Sequence, residues 1–515
     1  MIRAPRLVRS TLIVILFFGL SKITGFFKLL VVTDVFGAGA AADAFTAASQ
    51  LPELFQAMIS GGALAAALIP VYNRHLLEES NRDALRLANT LITGVFLLLG
   101  AICALTAWQA PWLTRTLLVP DFPPEQQLLT AQIMRLFMIS TTILGVSGVI
   151  AGLLNAHQHF FLPAFATVII DLGAVAGLIF LVPTMGIMGA AWGAVFGAVL
   201  HLLVQLPGLA HFRIPFQPML DLKMQGVRQV IRLMGPQMIA LSTVQAADLY
   251  LVRLASAYPA GSVAAYSYAF LFIQVPLGLF GFGIAVVLFP TLSHYYNTGN
   301  LQAFRQTHAL SFQVVLALTV PAALGLVLLG RHGVALVFER GAFDAEATSL
   351  VYSLLVPFSG LIVAQATLEM VVRGFHARYN TRGPMWGYLG WLGAILLTGT
   401  LFHRWYGLPG LGLANTASYA VMLLGLYWLY RQGYAALPER ILARSLAGTV
   451  LATAGMALVV WLIVRLPYSN LTVVSASILI GGAVYLGLSV VLNRPMIRQF
   501  SLMFNRFPPQ QVANT

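Results

Sequence analysis

The sequence predicts an all-α integral membrane protein of about fourteen transmembrane helices, and three observations carry that prediction. Of 515 residues, 59% are hydrophobic and only 9% charged, against roughly 25% charged residues in a soluble domain. Apolar runs of about twenty residues recur along nearly the whole chain, each long enough to cross a hydrocarbon core about 30 Å thick as a helix. The lysines and arginines alternate between crowded and sparse loops, as they do in a chain threaded back and forth through a bilayer.

In order, the spans are expected at 10–33, 42–70, 86–109, 127–153, 160–183, 186–208, 229–256, 263–290, 304–330, 347–372, 383–402, 408–430, 442–464 and 470–492. The first follows Arg3, Arg6 and Arg9, as the apolar core of a secretory signal does. It continues to Val32, contains Lys22 and Lys28, and lacks a small-x-small cleavage pattern, so it reads as a retained helix. With these spans, 20 of the 29 Lys and Arg residues fall on the side of the N-terminus, five on the other side and four within the membrane. The positive-inside rule then places both termini in the cytoplasm. The net charge of +13 is accounted for by topology rather than by a nucleic-acid footprint. The one cysteine, Cys103, excludes an intramolecular disulfide and argues against a cysteine metal site.

An internal repeat appears at an offset near 220 residues. Pro70 matches Pro290, Pro163 matches Pro384, Gly186 and Gly189 match Gly407 and Gly410, and Pro52 pairs with Pro276. Each copy holds six spans, an even number, so both enter the membrane in the same direction as two parallel six-helix lobes related by pseudo-two-fold symmetry. That is the parallel-repeat plan of secondary transporters, with the substrate path between the halves. The expected organisation is an N-lobe over 1–208, a cytoplasmic linker at 209–228, a C-lobe over 229–432, a terminal helix pair at 433–493 and a cytoplasmic tail at 494–515. No polar segment is long enough for a separate catalytic domain. No Walker loop, nucleophile elbow or zinc-protease motif occurs, which points to a secondary transporter rather than an enzyme.

Ionisable groups at membrane depth are costly unless paired or wetted, so each is a functional candidate. Nine stand out: Lys22, Lys28, Asp43, Glu53, Arg135, Asp171, Asp248, Arg253 and Glu369. Lys22 and Lys28 flank Gly25 and lie about 120° apart around an ideal helix. A bend at Gly25, acting as a hinge, would aim both into one cavity. Two lysines there suit a phosphate-bearing substrate, toward which each acts as a point charge. The competing reading is structural ion pairing with Asp43 or Glu53. Asp43 ends the small-residue run FGAGAAAD, where the first two spans can approach closely, and reads either as a cavity residue or as an interfacial helix cap. Arg135, Arg253 and Glu369 lie toward span ends and are expected to snorkel. Asp171 and Asp248 lie deeper, where each either takes up a proton or sodium ion during transport or pairs with a base elsewhere. The GLFGFG run at Gly278–Gly283 sits inside an apolar span with no preceding strand, so it reads as helix packing rather than a dinucleotide loop. His157 and His159 have no carboxylate or cysteine nearby, which argues against a metal.

Several segments, in order and spacing, resemble a known family. They are SKITGFFK at 21–28, FGAGAAADAF at 36–45, LPELF at 51–55, ALIPVY at 67–72, LNAHQHFFLPAFA at 154–166, QLP at 205–207, MGPQ at 234–237, VFERGAFDAEAT at 337–348 and GFHARYNTRGP at 374–384. Together they resemble the MurJ (MviN) proteins of the multidrug/oligosaccharidyl-lipid/polysaccharide (MOP) exporter superfamily, from about Ser21 to the last span. The resemblance implies a lipid II flippase of the bacterial inner membrane, carrying the undecaprenyl-linked cell-wall precursor to the periplasmic leaflet by alternating access. It implies lipid II and membrane lipids as partners, no nucleic acid, a monomer, and no cofactor beyond coupling to a sodium ion, a proton or the membrane potential. The implied substrate-binding set is Lys22, Lys28, Asp43 and Gln56. Lys22 and Lys28 stand where the family carries arginines, and Asp43 matches the family's aspartate. A cavity arginine of the family aligns with Gln56, an acidic residue with Gly61, and an Asp-Arg pair with Phe270 and Leu271. Asp248 is a candidate ligand for the family's sodium site, yet residues 370–438 contain no Asp or Glu. Alternative readings are a flippase for another polyprenyl-linked glycan, a drug/cation antiporter, and a non-transporting membrane scaffold.

Overall fold

The structure is a computed structural model describing residues 4–59, 63–76, 81–433 and 439–499; Arg3, Gly61 and the tail from 500 lie outside the described residues. All regular structure among these is helical, as the composition requires: in lipid every backbone polar group must be satisfied internally, and helices do this within one segment. The helices of the first half are α1 (Ala4–Phe36), α2 (Ala40–Ile59), α3 (Ala63–Arg74), α4 (Asn81–Trp108), α5 (Pro124–Ala156), α6 (Phe161–Phe180), α7 (Ile187–Leu203) and α8 (Gln225–Ala255). Then follow α9 (Ser262–Pro276), α10 (Gly283–Asn297), α11 (Leu301–Phe338), α12 (Ala345–His376), α13 (Arg382–Tyr406), α14 (Pro409–Gly433), α15 (Glu439–Val464), α16 (Asn470–Ala476) and α17 (Gly482–Leu492). Eleven of the described helical segments are long and apolar enough to cross a membrane. The other three expected spans fall on α1, on α2 with α3, and on α8.

The chain packs as two compact units, residues 1–264 with 340–344, and residues 265–339 with 345–515. The repeat counts α8 with the second set of six helices, whereas by packing it lies in the first unit, against α2 and α3. Its inner turns supply Val227, Val230 and Met234 to a buried cluster with Leu68, Tyr72, Leu87, Leu91, Leu153 and Leu154.

Local geometry recurs at the repeat spacing. Gln158 and Tyr379, 221 residues apart, are both non-glycine residues at positive φ, 59° and 57°. Each sits in a turn closed by the same two backbone hydrogen bonds, Gln158 N to Asn155 O and His159 N to Leu154 O in one copy, Tyr379 N to His376 O and Asn380 N to Phe375 O in the other. Gly186 and Gly407 have φ of 56° and 66°, and each begins the next helix with a bond from the amide three residues on. Gly186 and Gly407 therefore mark matched backbone turns, whereas Pro52, Pro70, Pro276 and Pro290 lie inside helices.

Within the first unit, α6 and α7 meet through glycines. A Cβ on Gly173 would lie 2.5 Å from the Gly197 Cα, and one on Gly177 would strike Gly193. Small residues at four-residue spacing let the two backbones touch, the device by which membrane helices gain packing without a hydrophobic driving force. Asp171 stands about 200° around α6 from Gly173, so the glycine contact with α7 turns the carboxylate toward the opposite side, where α1 packs.

Candidate functional site

The site is built on α1, α2 and α6 of the first unit. Lys28 Nζ donates to Asp171 Oδ1 at 2.5 Å, forming an ion pair whose side chains are 40% and 12% exposed. Thr24, one turn before Lys28, directs its hydroxyl at the other carboxylate oxygen, Oδ2, at 3.5 Å. Of the structural readings open to these groups, the geometry shows Asp171 paired with a base elsewhere, and that base is Lys28, whose direct partner is Asp171 rather than Asp43 or Glu53; Glu53 on α2 lies within electrostatic reach of it. The cause is tertiary. The α6–α7 glycine contact presents Asp171 to α1, and sequence distance gives no hint of it.

Gly25 lies at the same contact. The helix α1 is continuous through it, and a Cβ there would stand 3.3 Å from Asp171 Oδ2. Its absence lets the carboxylate settle against the α1 backbone between Thr24 and Lys28. Lys22 is exposed on α1, and Gln56 is half-buried on α2, where its amide donates to Thr141 Oγ1 of α5 at 3.5 Å. Asp248 is half-buried on α8. Phe270 and Leu271 lie on α9.

Asp43 serves a different purpose. Buried to 1% exposure, it accepts hydrogen bonds from the backbone amides of Gly261, at 2.6 Å, and Ala264, at 2.7 Å. It thus caps the first turn of α9, satisfying amides that a helix start leaves without partners and placing negative charge at the positive end of the helix dipole. Of the two readings of Asp43, the helix cap is the one the geometry shows, though the capped helix is distant in sequence. Gly261 has φ of 96°, and a Cβ there would strike the Ala38 carbonyl, so this approach requires glycine. Nearby, Ala342 N donates to the Asp34 carbonyl at 2.7 Å and the Gly37 turn, φ 58°, closes against Ala342. The end of α1 at Phe36 is thereby tied by backbone contacts to the segments at 261–264 and 340–344. Sequence reasoning missed these residues; the glycines Gly37, Gly261 and Gly341 were the available signal.

The remaining intramembrane charges are structural. Arg135 Nε donates to Ala107 O and Arg253 to Thr116 O, each at 3.0 Å. Glu369, expected to snorkel, is instead 6% exposed and pairs with Arg373 one turn on, at 3.5 Å. The GLFGFG run forms a π-helical turn, Leu277–Phe282, and its Gly281 packs on Ala366. His157 accepts or donates a 3.1 Å hydrogen bond with the Tyr72 hydroxyl and stacks on Phe212 with ring centroids 4.5 Å apart. Among the described residues no group of His, Cys, Asp or Glu is placed to hold a metal.

Comparison with known proteins places this arrangement. The family model described as lipid II flippase MurJ matches residues 32–481. A probable lipid II flippase MurJ of Vibrio cholerae is 30% identical over 447 residues, covering 83% of this chain and 83% of that protein. The lipid II flippase MurJ of Burkholderia cenocepacia is 26% identical over 415 residues, covering 79% of this chain and 80% of that protein. Among solved structures, a lipid II flippase MurJ in an inward closed conformation is similar with a TM-score of 0.81 at 22% identity, covering 94% of this chain and 100% of that one. A multidrug resistance MATE family transporter of the MOP superfamily is similar with a TM-score of 0.69 at 15% identity, covering 83% of this chain and 99% of that one. At such identities the structural likeness is one of fold.

Proposed function

Because this chain belongs to the lipid II flippase MurJ family, we propose that it moves lipid II, the undecaprenyl-pyrophosphate-linked peptidoglycan precursor, from the cytoplasmic to the periplasmic leaflet by alternating access. The observation that carries the residue-level reading is the Lys28–Asp171 pair. A lysine at membrane depth needs an anionic partner, and its ammonium has three donors, of which Asp171 engages one. A pyrophosphate arriving at the site competes for the same cation with more acceptor oxygens and more charge. Asp171 therefore acts as the resting partner that holds Lys28 in place between transport cycles. Lys22, on the same helix, and Gln56, on α2, extend the polar surface for the sugar-pyrophosphate headgroup, while the polyprenyl tail stays in lipid.

Coupling follows from the same pair. When Lys28 turns to the substrate, Asp171 is left charged in a low-dielectric site, and uptake of a proton or a sodium ion there relieves it. Asp248 is the second candidate for that role. With both termini cytoplasmic, the Asp43 cap on Gly261 and Ala264 lies toward the periplasm. The protein works as a monomeric secondary transporter of the bacterial inner membrane, its chemistry confined to binding and release.

Complementation tests the proposal: deplete the resident lipid II flippase of a bacterial host, express this chain, and follow growth and periplasmic exposure of lipid II. Rescue by wild type but not by a Lys22→Ala, Lys28→Ala variant of equal abundance supports it. If abundant wild-type protein leaves lipid II inside, lipid II is not the substrate. The uncharged positions Gln56, Phe270 and Leu271, where the family carries charge, would then favour another polyprenyl-linked glycan.

A further inference from the structure

The segment joining α7 to α8 departs from a simple cytoplasmic tether. After a short helix, Leu206–His211, residues 214–221 form no helix. Pro215 and Pro218 explain this, since each lacks an amide proton and each biases the residue before it, Ile214 and Gln217, toward extended backbone. The segment is nevertheless held firmly. The Asn89 side chain of α4 donates to the Pro215 carbonyl and accepts from the Gln217 amide, both at 3.1 Å. Four residues along the same face of α4, Thr93 Oγ1 accepts from the Met219 amide at 3.3 Å. Ile214 is buried, and the Leu220 side chain comes within ordinary contact distance of Gly94.

The depth of these anchors is informative. Helix α4 contains one of the membrane-crossing segments, Arg82–Trp108, and Arg82 and Arg86 mark its polar end. Thr93 lies seven residues beyond Arg86, about 10 Å further along the axis, so the linker backbone follows α4 below the level of its basic residues. Non-helical backbone at that depth is tolerated only where protein groups satisfy its amides and carbonyls. Asn89 and Thr93 do so for the Pro215 carbonyl and the Gln217 and Met219 amides, and the two prolines remove two further amides from the need. Outward from the segment, Phe216, Leu220 and Leu222 are 57%, 51% and 57% exposed. Further along α4, beyond the Leu220 contact at Gly94, Phe96, Leu97 and Leu98 are exposed as well. At either end stand exposed cations, Arg213 before the segment and Lys223 and Arg228 after it.

We propose that residues 214–220 form a strap inserted into the leaflet on the side of the basic loops, with Phe216 and Leu220 in the acyl region, Asp221 marking the return to the polar interface, and Arg213, Lys223 and Arg228 on the phosphates of the lipid headgroups. The partner is a bilayer surface, because the exposed apolar residues run along a membrane-spanning helix, anchored to it at Asn89 and Thr93, and are bracketed in sequence by exposed cations. The strap fixes the start of α8 to α4 through lipid-immersed backbone.

The test places a small environment-sensitive fluorophore on Leu220→Cys in a Cys103→Ala background, with Lys223→Cys as a second labelling site, in the full-length protein reconstituted into phosphatidylethanolamine/phosphatidylglycerol vesicles. The label at 220 is expected to be quenched by brominated acyl chains and shielded from aqueous iodide, and the label at 223 to show the reverse. Adding Asn89→Ala, which removes two of the three anchors, is expected to raise iodide quenching at 220 several-fold, and Thr93→Val to raise it less. Iodide quenching at 220 equal to that at 223, without an effect of bromolipid, overturns the proposal and leaves an aqueous segment or a protein-binding one. So does a bromolipid signal at 220 that Asn89→Ala leaves unchanged, since the label itself would then be driving insertion.

Discussion

Helices α6 and α13 occupy the same place in the repeat, with Pro163 and Pro384 at matched positions 221 residues apart, yet only α6 carries a carboxylate within its apolar run. Asp171 of α6 corresponds to Leu392 of α13, and residues 370–438 contain no Asp or Glu at all. The neighbouring contacts differ in kind too. Gly177 of α6 touches Gly193 of α7 backbone to backbone, while their counterparts Thr398 and Ala414 meet by a hydrogen bond, Thr398 Oγ1 to Ala414 O, at 3.2 Å. The repeat thus preserves backbone turns and helix order while leaving side chains free to diverge. A carboxylate present in one copy and absent from the other is not something the repeat itself requires.

Breaking the asymmetry is expected to have its largest effect at Lys28. Lys28→Ala should lower lipid II flipping by on the order of tenfold or more, about 1.4 kcal/mol of barrier, at unchanged abundance, read by periplasmic exposure of lipid II. Asp171→Leu, which makes α6 resemble α13, should also lower flipping, but less, because the substrate-binding cation remains. Wild-type flipping by that variant would show the asymmetry to be incidental.

The packing half of the comparison yields smaller numbers. Gly177→Ala forces α6 away from α7 and should destabilise the protein by about 1–3 kcal/mol, the cost of overpacking a tight contact, seen as a lower melting temperature in detergent. Thr398→Val at the matched position removes one hydrogen bond and should cost ~0.6 kcal/mol, as such bonds do between membrane helices. Equal losses in the two variants would mean that the glycine contact is no tighter than its counterpart.

The smallest effect concerns the matched turns at Gln158 and Tyr379. The first carries His157 where the second carries Arg378. Burial holds the His157 and His159 imidazoles below their ordinary pKa of 6.5, and the nearby His211 adds to this for His159. A depressed folded-state value means the neutral form is the folded one, so stability is fully present above pH 6.5 and is lost as pH falls through the folded value. Protonation also removes the acceptor that a neutral His157 offers the Tyr72 hydroxyl. Hydrogen exchange of residues 153–159 should quicken on acidification, and His157→Gln should blunt the change.

Much of the fold was legible because its determinants are local. Apolar runs give spans, and the paired glycines Gly186 and Gly407 mark turns whose φ values match across the repeat. The site was legible only in part. Lys28, Asp43, Asp171 and Asp248 stand out by cost alone, since charge in an apolar run needs a reason. What the sequence withholds is which helix lies beside which. Asp171 meets Lys28 because glycines on another face of α6 set its orientation, and Asp43 meets amides more than two hundred residues away. Gly25, expected as a hinge, lies in a continuous helix where a Cβ would crowd Asp171. Glu369 and Arg373 were close enough in sequence to be paired on sight, but burial of that turn depends on α12 as a whole, and periodicity in an evenly apolar helix does not reveal its inward face.

The central claim is that Lys28 works on substrate and rests on Asp171. The most direct measurement compares outward flipping of lipid II by wild type, Lys28→Gln, and the doubly neutral Lys28→Gln, Asp171→Asn variant, in cells depleted of the resident flippase and matched for abundance. The account predicts that both variants fail, because neutralising the partner does not replace the cation the pyrophosphate needs. Recovery of wild-type flipping in the double variant would contradict it, and would make the pair a structural tie whose only requirement is charge balance.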